Sequence, residues 1–247
     1  MNLVSPQIAR LTLCVCFTLV PAVLQAQNQA AAPSQSPAGK PAPSQSPAGK
    51  PSPSGGQPKY TKQQMQEIIL KLRERIGNAA DQVFGRIQKE ENGLRISFTY
   101  LRKPERLDPS TYGSKDDIAQ WRASIEQMKE KESLLEKLYA NADEDLGNAL
   151  TQQKINQAIA EQIKIELLKT FPWNTIKKRN ELMRDYIAEH DELLTFYEKN
   201  WGSWKSGPAT GAPTFDDKQL AATYRTLKEK INSTGLQLED QYKVLVQ

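Results

Sequence analysis

The chain has 247 residues, 33 of them basic and 29 acidic, with one histidine and two cysteines. Arg10, Lys40 and Lys50 are the only charged residues before Lys59, so from there on 30 basic residues face all 29 acidic ones. So even a balance lacks the surplus of Lys and Arg that phosphate contacts require, which argues against nucleic acid as a partner. A single histidine, with both cysteines inside the first sixteen residues, leaves zinc, haem and triad chemistry without their usual side chains.

Met1 to Ala26 has the layout of a secretory signal: Arg10 is its one charge, and Leu11 to Leu24 is an apolar run broken by Pro21. Leu24-Gln25-Ala26 supplies the aliphatic and small residues that a signal peptidase reads. A membrane-spanning helix needs roughly 20 apolar residues, so cleavage is expected rather than retention as an anchor. Cleavage removes Cys14 and Cys16, so no disulfide or thiolate is expected in the mature chain.

Residues 27–58 are low in complexity. Ala-Pro-Ser-Gln-Ser-Pro-Ala-Gly-Lys-Pro occurs at Ala32–Pro41 and again at Ala42–Pro51. With no large apolar side chain to offset the entropy of ordering, a disordered Pro-rich linker is predicted.

The folded domain is predicted over residues 59–247, as an all-α, elongated antiparallel helical bundle or coiled coil. Thr61 and Gln64 form a capping box that opens a first helix on Met65, Ile69, Leu72, Ile76, Val83 and Ile87, with Asn92-Gly93 as its stop. Ile96, Phe98 and Tyr100 then alternate with Ser97 and Thr99, which is the period of a strand. With no partner strand in view, this stretch either lies extended over the helices or prolongs the first one.

The second helix opens at Ser114 and Asp117. Its inward stripe is Ile118, Trp121, Ile125, Met128, Glu132, Leu135, Leu138 or Tyr139, Ala142 and Leu146, with Gly147-Asn148 as the expected end. Glu132 on that stripe should face Lys or Arg from a neighbour, because an unpaired buried carboxylate is costly.

A third helix is expected over about 152–169, interrupted by Phe171-Pro172-Trp173. A fourth follows to about Trp204, on Ile176, Met183, Ile187, His190, Leu194, Tyr197 and Trp201. Residues 206–214 read as a Gly/Pro loop, and a last helix runs from about Asp216 to Val246 with Gly235 as its weak point. The four long helices come out at about thirty residues, or about 45 Å, each.

Nothing in the pattern marks a catalytic residue, a metal site or a cofactor site. His190 has Ile187 and Leu194 on the adjacent turns, so it reads as a packed side chain. Asp143, Glu144 and Asp145, like Asp116 and Asp117, read as solvated charge near helix ends. Gly77, Gly85 and Gly93 recur at a helix-like interval that suggests close helix packing.

Two patches are candidates for contact with a partner. Trp201 and Trp204, beside Phe196 and Tyr197, either seal the end of the bundle, the simpler expectation, or form a stacking platform. Arg95, Arg102, Lys103 and Arg106 in the connector are either solvated or touch an anionic lipid or polymer.

The reading is thus a non-enzymatic, exported protein, periplasmic or extracellular, acting as an interaction or scaffold module of the cell envelope. A monomer is expected, with a dimer as the alternative, an envelope protein or polymer as partner, and membrane contact only through an uncleaved signal or the basic connector. A holdase-like chaperone with long helical arms and a ligand-binding bundle are the alternatives.

Overall fold

The computed structural model describes residues 60–205 and 213–246. The signal and linker, and most of the Gly/Pro loop at 206–214, lie outside the described residues. The fold is all-α, with six α-helices: α1 (Lys62–Leu101), α2 (Lys115–Ala140), α3 (Ala142–Gln152), α4 (Gln157–Lys169), α5 (Trp173–Lys199) and α6 (Lys218–Val246).

The first helix starts where the sequence says, with both halves of the capping box made: Gln64 N donates to Thr61 Oγ1 and Thr61 N to Gln64 Oε1. It does not stop at Asn92-Gly93. It continues to Leu101, so the apparent strand is its last two turns. Leu94, Phe98 and Leu101 lie four and three residues apart and turn inward, while Ile96 and Tyr100 face solvent. The alternation at 96, 98 and 100 is therefore a helix sampled every second residue.

Ser114 and Asp117 cap α2 as expected, and the stripe Ile118, Ile125, Met128, Glu132, Leu135 and Leu138 is buried along its length, with Trp121 and Tyr139 half-buried at its margins. The expected end at Gly147-Asn148 is displaced. The helix breaks at Asn141 (φ −93°, ψ 0°) and resumes as α3, carrying Ala142, Leu146, Ala149 and Leu150 inward. Asp143, Glu144 and Asp145 occupy the first turn of the new helix, where the N-terminal dipole favours negative charge. The chain then turns through Lys154 at φ +56° and enters α4, capped by Asn156, five residues later than the sequence suggests. Pro172 precedes α5, and Phe171 stacks on Trp173 and packs on Phe84 of α1.

Long-range contacts order the helices. Tyr100 meets Trp121 and Glu91 meets Tyr139, so α1 and α2 run antiparallel. Arg122 reaches Asp191 and Glu198 while Arg184 reaches Glu132 and Glu136, which sets α2 against α5 in the same sense. Tyr197 meets Tyr224 and Thr234 meets Glu189, which does the same for α5 and α6. Arg102 bridges to Glu239 and Phe98 packs on Tyr242, bringing α6 back beside α1. Side chains of the last helix thus return to the end of the first, and one hydrophobic cluster draws residues from all six helices, with α3 packed on α1 and α4 on α3.

Two expectations about glycine are corrected. Gly77, Gly85 and Gly93 have nothing within 4 Å of the position a Cβ would take, so they do not permit close packing. Gly235 does: Tyr186 and Arg102 would stand 3.3 and 3.4 Å from its Cβ, and the helix passes through it unbroken.

Candidate interaction surface

The connector between α1 and α2 folds into two short 3₁₀ turns, Pro104–Leu107 and Pro109–Thr111, rather than an open loop. Asp108 accepts from Ser110 N and Ser110 Oγ, and Thr111 Oγ1 donates to the Glu105 carbonyl. Two buried tyrosine hydroxyls, from Tyr197 of α5 and Tyr224 of α6, both donate to the Leu107 carbonyl at 2.9 and 2.7 Å. Tyr112 OH donates to the Arg106 carbonyl at 3.1 Å. Burial pushes all three tyrosines above their ordinary range, so they remain neutral donors. Three side-chain hydrogen bonds to two consecutive carbonyls fix this turn to the core.

On that base sits a cluster of rings and cations. Tyr100, 45 % exposed, stacks on Trp121 with centroids 5.4 Å apart. The Arg106 guanidinium lies 3.5 Å from the Trp121 centroid and 4.7 Å from that of Tyr100, and donates to Tyr100 OH at 2.8 Å. Lys103 Nζ stands 5.2 Å from the Tyr100 ring. Cations over ring faces are attracted by the ring quadrupole, which holds Arg106 in place with no salt bridge to a carboxylate among the described residues.

Two concavities share Tyr100 as a wall. One, of about 300 Å³, is lined by Arg106, Glu105, Asp117, Gln120, Trp121 and Ser124 among others. The other, of about 320 Å³, is lined by Arg95, Ile96, Thr99, Tyr100 and Lys103, with Ile96 68 % exposed.

The four basic residues singled out in the sequence therefore divide. Arg95, Lys103 and Arg106 line the concavities. Arg102 does not: it bridges to Glu239, lies over Phe98 and faces the α1–α6 seam.

Trp201 and Trp204 are half-buried at the same end of the molecule. Trp204 is edge-on to Trp201, packs on Tyr197 at 5.8 Å and pairs with Phe215 in a two-residue antiparallel ladder (β1, Trp204–Lys205; β2, Thr214–Phe215). Tyr197 in turn touches Tyr112, which lines the first concavity. Ring contacts thus run from the Trp pair as far as Tyr112, which shares the first concavity with Tyr100 and Trp121, so the two patches, about a hundred residues apart in sequence, lie at the same end. The Trp pair supplies its packed inner part and Tyr100 its exposed edge.

The core also holds charge. Arg179 is fully buried, reaches Glu91 with one Nη and lies over the Tyr139 ring, whose hydroxyl donates to Glu91 at 2.8 Å. Burial raises the Glu91 carboxyl, and Arg179 and Tyr139 oppose that. One turn on, Glu132, 4 % exposed, faces Arg184 at 3.7 Å as the inward stripe implies, but lies beside Glu136 as well. Burial, and then the Glu136 charge, push Glu132 up to about 7. Glu189 accepts from Thr234 at 2.9 Å. Beside it His190 lies edge-on to Tyr186, and its imidazole is lowered to about 4 by burial.

Sequence reasoning missed the Arg179–Glu91 pair. The signal was the unfilled step between Ile176 and Met183, whose midpoint is Arg179. Among the described residues no group of three or more His, Cys, Asp or Glu side chains is placed to hold a metal ion, and no helix is long and apolar enough to cross a membrane. The chain matches no protein-family model, no curated protein and no solved structure.

Proposed function

We propose that this is an exported, non-enzymatic protein whose helices form an elongated monomeric bundle. It acts as an interaction or scaffold module of the cell envelope, held on a disordered Pro-rich spacer (27–58) once the signal (1–26) is removed. The observation that carries the reading is the solvent-facing cluster at Tyr100. There Arg106, Lys103 and Arg95 stand beside exposed Ile96 and Tyr100, on a turn anchored by buried tyrosine hydroxyls. Rigid aromatic side chains with adjoining cations are what partner anchors are made of. The buried charges give less support to catalysis, because Glu91, Arg179 and Tyr139 engage one another.

Site-specific photo-crosslinking tests this: a crosslinker at position 100 should capture an envelope component, whereas one at Leu134, exposed on α2, should not. Equal yield at the two positions would remove the case for a defined surface. A holdase-like chaperone is the second reading, favoured by exposed Ile68, Leu70, Leu134, Ile165, Leu236 and Val244, which are spread over four helices. Suppression of client aggregation that survives Tyr100→Ala would select it.

A further inference from the structure

Resting on the reading that this end is an interaction surface, we propose that the two concavities around Tyr100 bind an anionic glycan, a linear polymer in which neutral and carboxylate-bearing pyranose units alternate. Three features of the site select that chemistry.

The first concavity mixes signs. Glu105 offers acceptors beside Asp117, one of whose oxygens already accepts from Gly113 and Ser114 N, Arg106 offers donors, and Gln120 and Ser124 offer both, around the Tyr100 and Trp121 rings. A pyranose has C–H faces that lie on a ring and a rim of hydroxyls that need donors and acceptors alike. A bilayer phosphate or an acidic peptide would meet repulsion from Glu105 and Asp117 there. A neutral sugar ring does not.

The second concavity carries Arg95 and Lys103 and no carboxylate, so it suits the acidic substituent of the next unit. Among the described residues Lys103 lies over the Tyr100 ring and Arg95 acts on the Glu91 carboxyl only through its charge, with no carboxylate in direct salt-bridge contact with either, so both can turn to an incoming carboxylate.

Finally, the site is pre-organised. Arg106 is held by Trp121 and by Tyr100 OH, and the backbone beneath it by Tyr112, Tyr197 and Tyr224. Groups already fixed lose little entropy on binding. Two adjoining concavities of similar size that share one ring also fit successive units of a chain better than one compact molecule.

Titration calorimetry of the purified full chain with short hyaluronan oligosaccharides, in which a uronate alternates with a neutral sugar, tests the proposal. Neutral dextran oligomers, poly-L-glutamate and phosphatidylglycerol vesicles serve as comparison ligands. Saturable binding of the hyaluronan oligosaccharide is expected, with Tyr100→Ala and Lys103→Glu each weakening it about tenfold. Both side chains are exposed, and unchanged far-UV circular dichroism of each variant verifies that it folds. Absence of hyaluronan binding, binding that neither variant weakens, or dextran binding of equal strength overturns the proposal. Tyr100-dependent binding of poly-L-glutamate or vesicles at equal or greater affinity also overturns the glycan assignment, while leaving the surface as a docking site. Failure of the surface itself shows instead in the crosslinking experiment.

Discussion

Glu132 allows a prediction in which sign and size are both set by the structure. Its carboxyl lies in the α2–α5 seam, 3.7 Å from Arg184 and beside Glu136, and releases its proton at about 7 rather than at the ordinary 4.5. The unfolded chain gives up that proton near 4.5, so between the two values the unfolded state binds fewer protons and stability falls as pH rises. The shift corresponds to about 3 kcal/mol of stability, present below pH 4.5 and lost by pH 8. Glu132→Gln keeps the size and removes the ionisation, and Arg184 retains Glu136 as its partner. The variant should therefore match the parent at pH 4 and exceed it by about 3 kcal/mol at pH 8. Urea unfolding followed by far-UV circular dichroism at pH 4, 6 and 8 measures this, and the difference between the chains cancels the titration of His190, Glu91 and Glu189. Glu136→Gln should make the loss between pH 4.5 and 8 smaller, because it removes the neighbouring negative charge that helps to raise the Glu132 carboxyl. Parallel stability curves for parent and Glu132→Gln across the whole range would refute the reasoning.

Arg179→Met should destabilise by about 3–5 kcal/mol, because it strands the Glu91 carboxylate in the core, and a second change Glu91→Leu should recover most of that loss in thermal melts. Leu135→Asp, at a fully buried position, should abolish the cooperative melt; light scattering that instead showed a dimer splitting into folded monomers would make the stripe an association seam. Acid should weaken the fold through His190, opposite in sign to the Glu132 effect. His190 is lowered from 6.5 to about 4, so its contribution is fully present above 6.5 and lost as pH falls through 4, and His190→Phe should flatten that acid limb of the stability profile. A chain beginning at Lys59 should keep its helical circular dichroism and its melting temperature, and loss of either would show that the fold extends into residues 27–58.

How much of this was readable in advance depends on which interactions decide each feature. The capping boxes at Thr61–Gln64 and Ser114–Asp117 are local, and both helices start where the residues say. The inward stripe of α2 was also legible, because burying a face depends only on a helical period and on a partner of any kind being present. Features set between distant residues were not. Asn92-Gly93 has the residues of a helix stop, yet the helix runs on because Leu94, Phe98 and Leu101 gain burial against α2, α5 and α6 that outweighs a weak local preference. The break at Asn141 replaces the one expected at Gly147-Asn148, since the acidic first turn of α3 and the inward Ala142 and Leu146 fit a new helix start. The candidate surface divides in the same way. Arg95, Lys103, Arg106 and the tryptophans could be named from composition and position, but a residue string cannot tell an exposed cation from one like Arg102 that binds Glu239, 137 positions away. Nor does it show that Tyr197 and Tyr224 converge on the Leu107 carbonyl and so bring the two patches to one end of the molecule. The helical period is a property of neighbouring residues and survives in the sequence; the pairing of charges and rings depends on which helices lie side by side, and only the tertiary structure decides that.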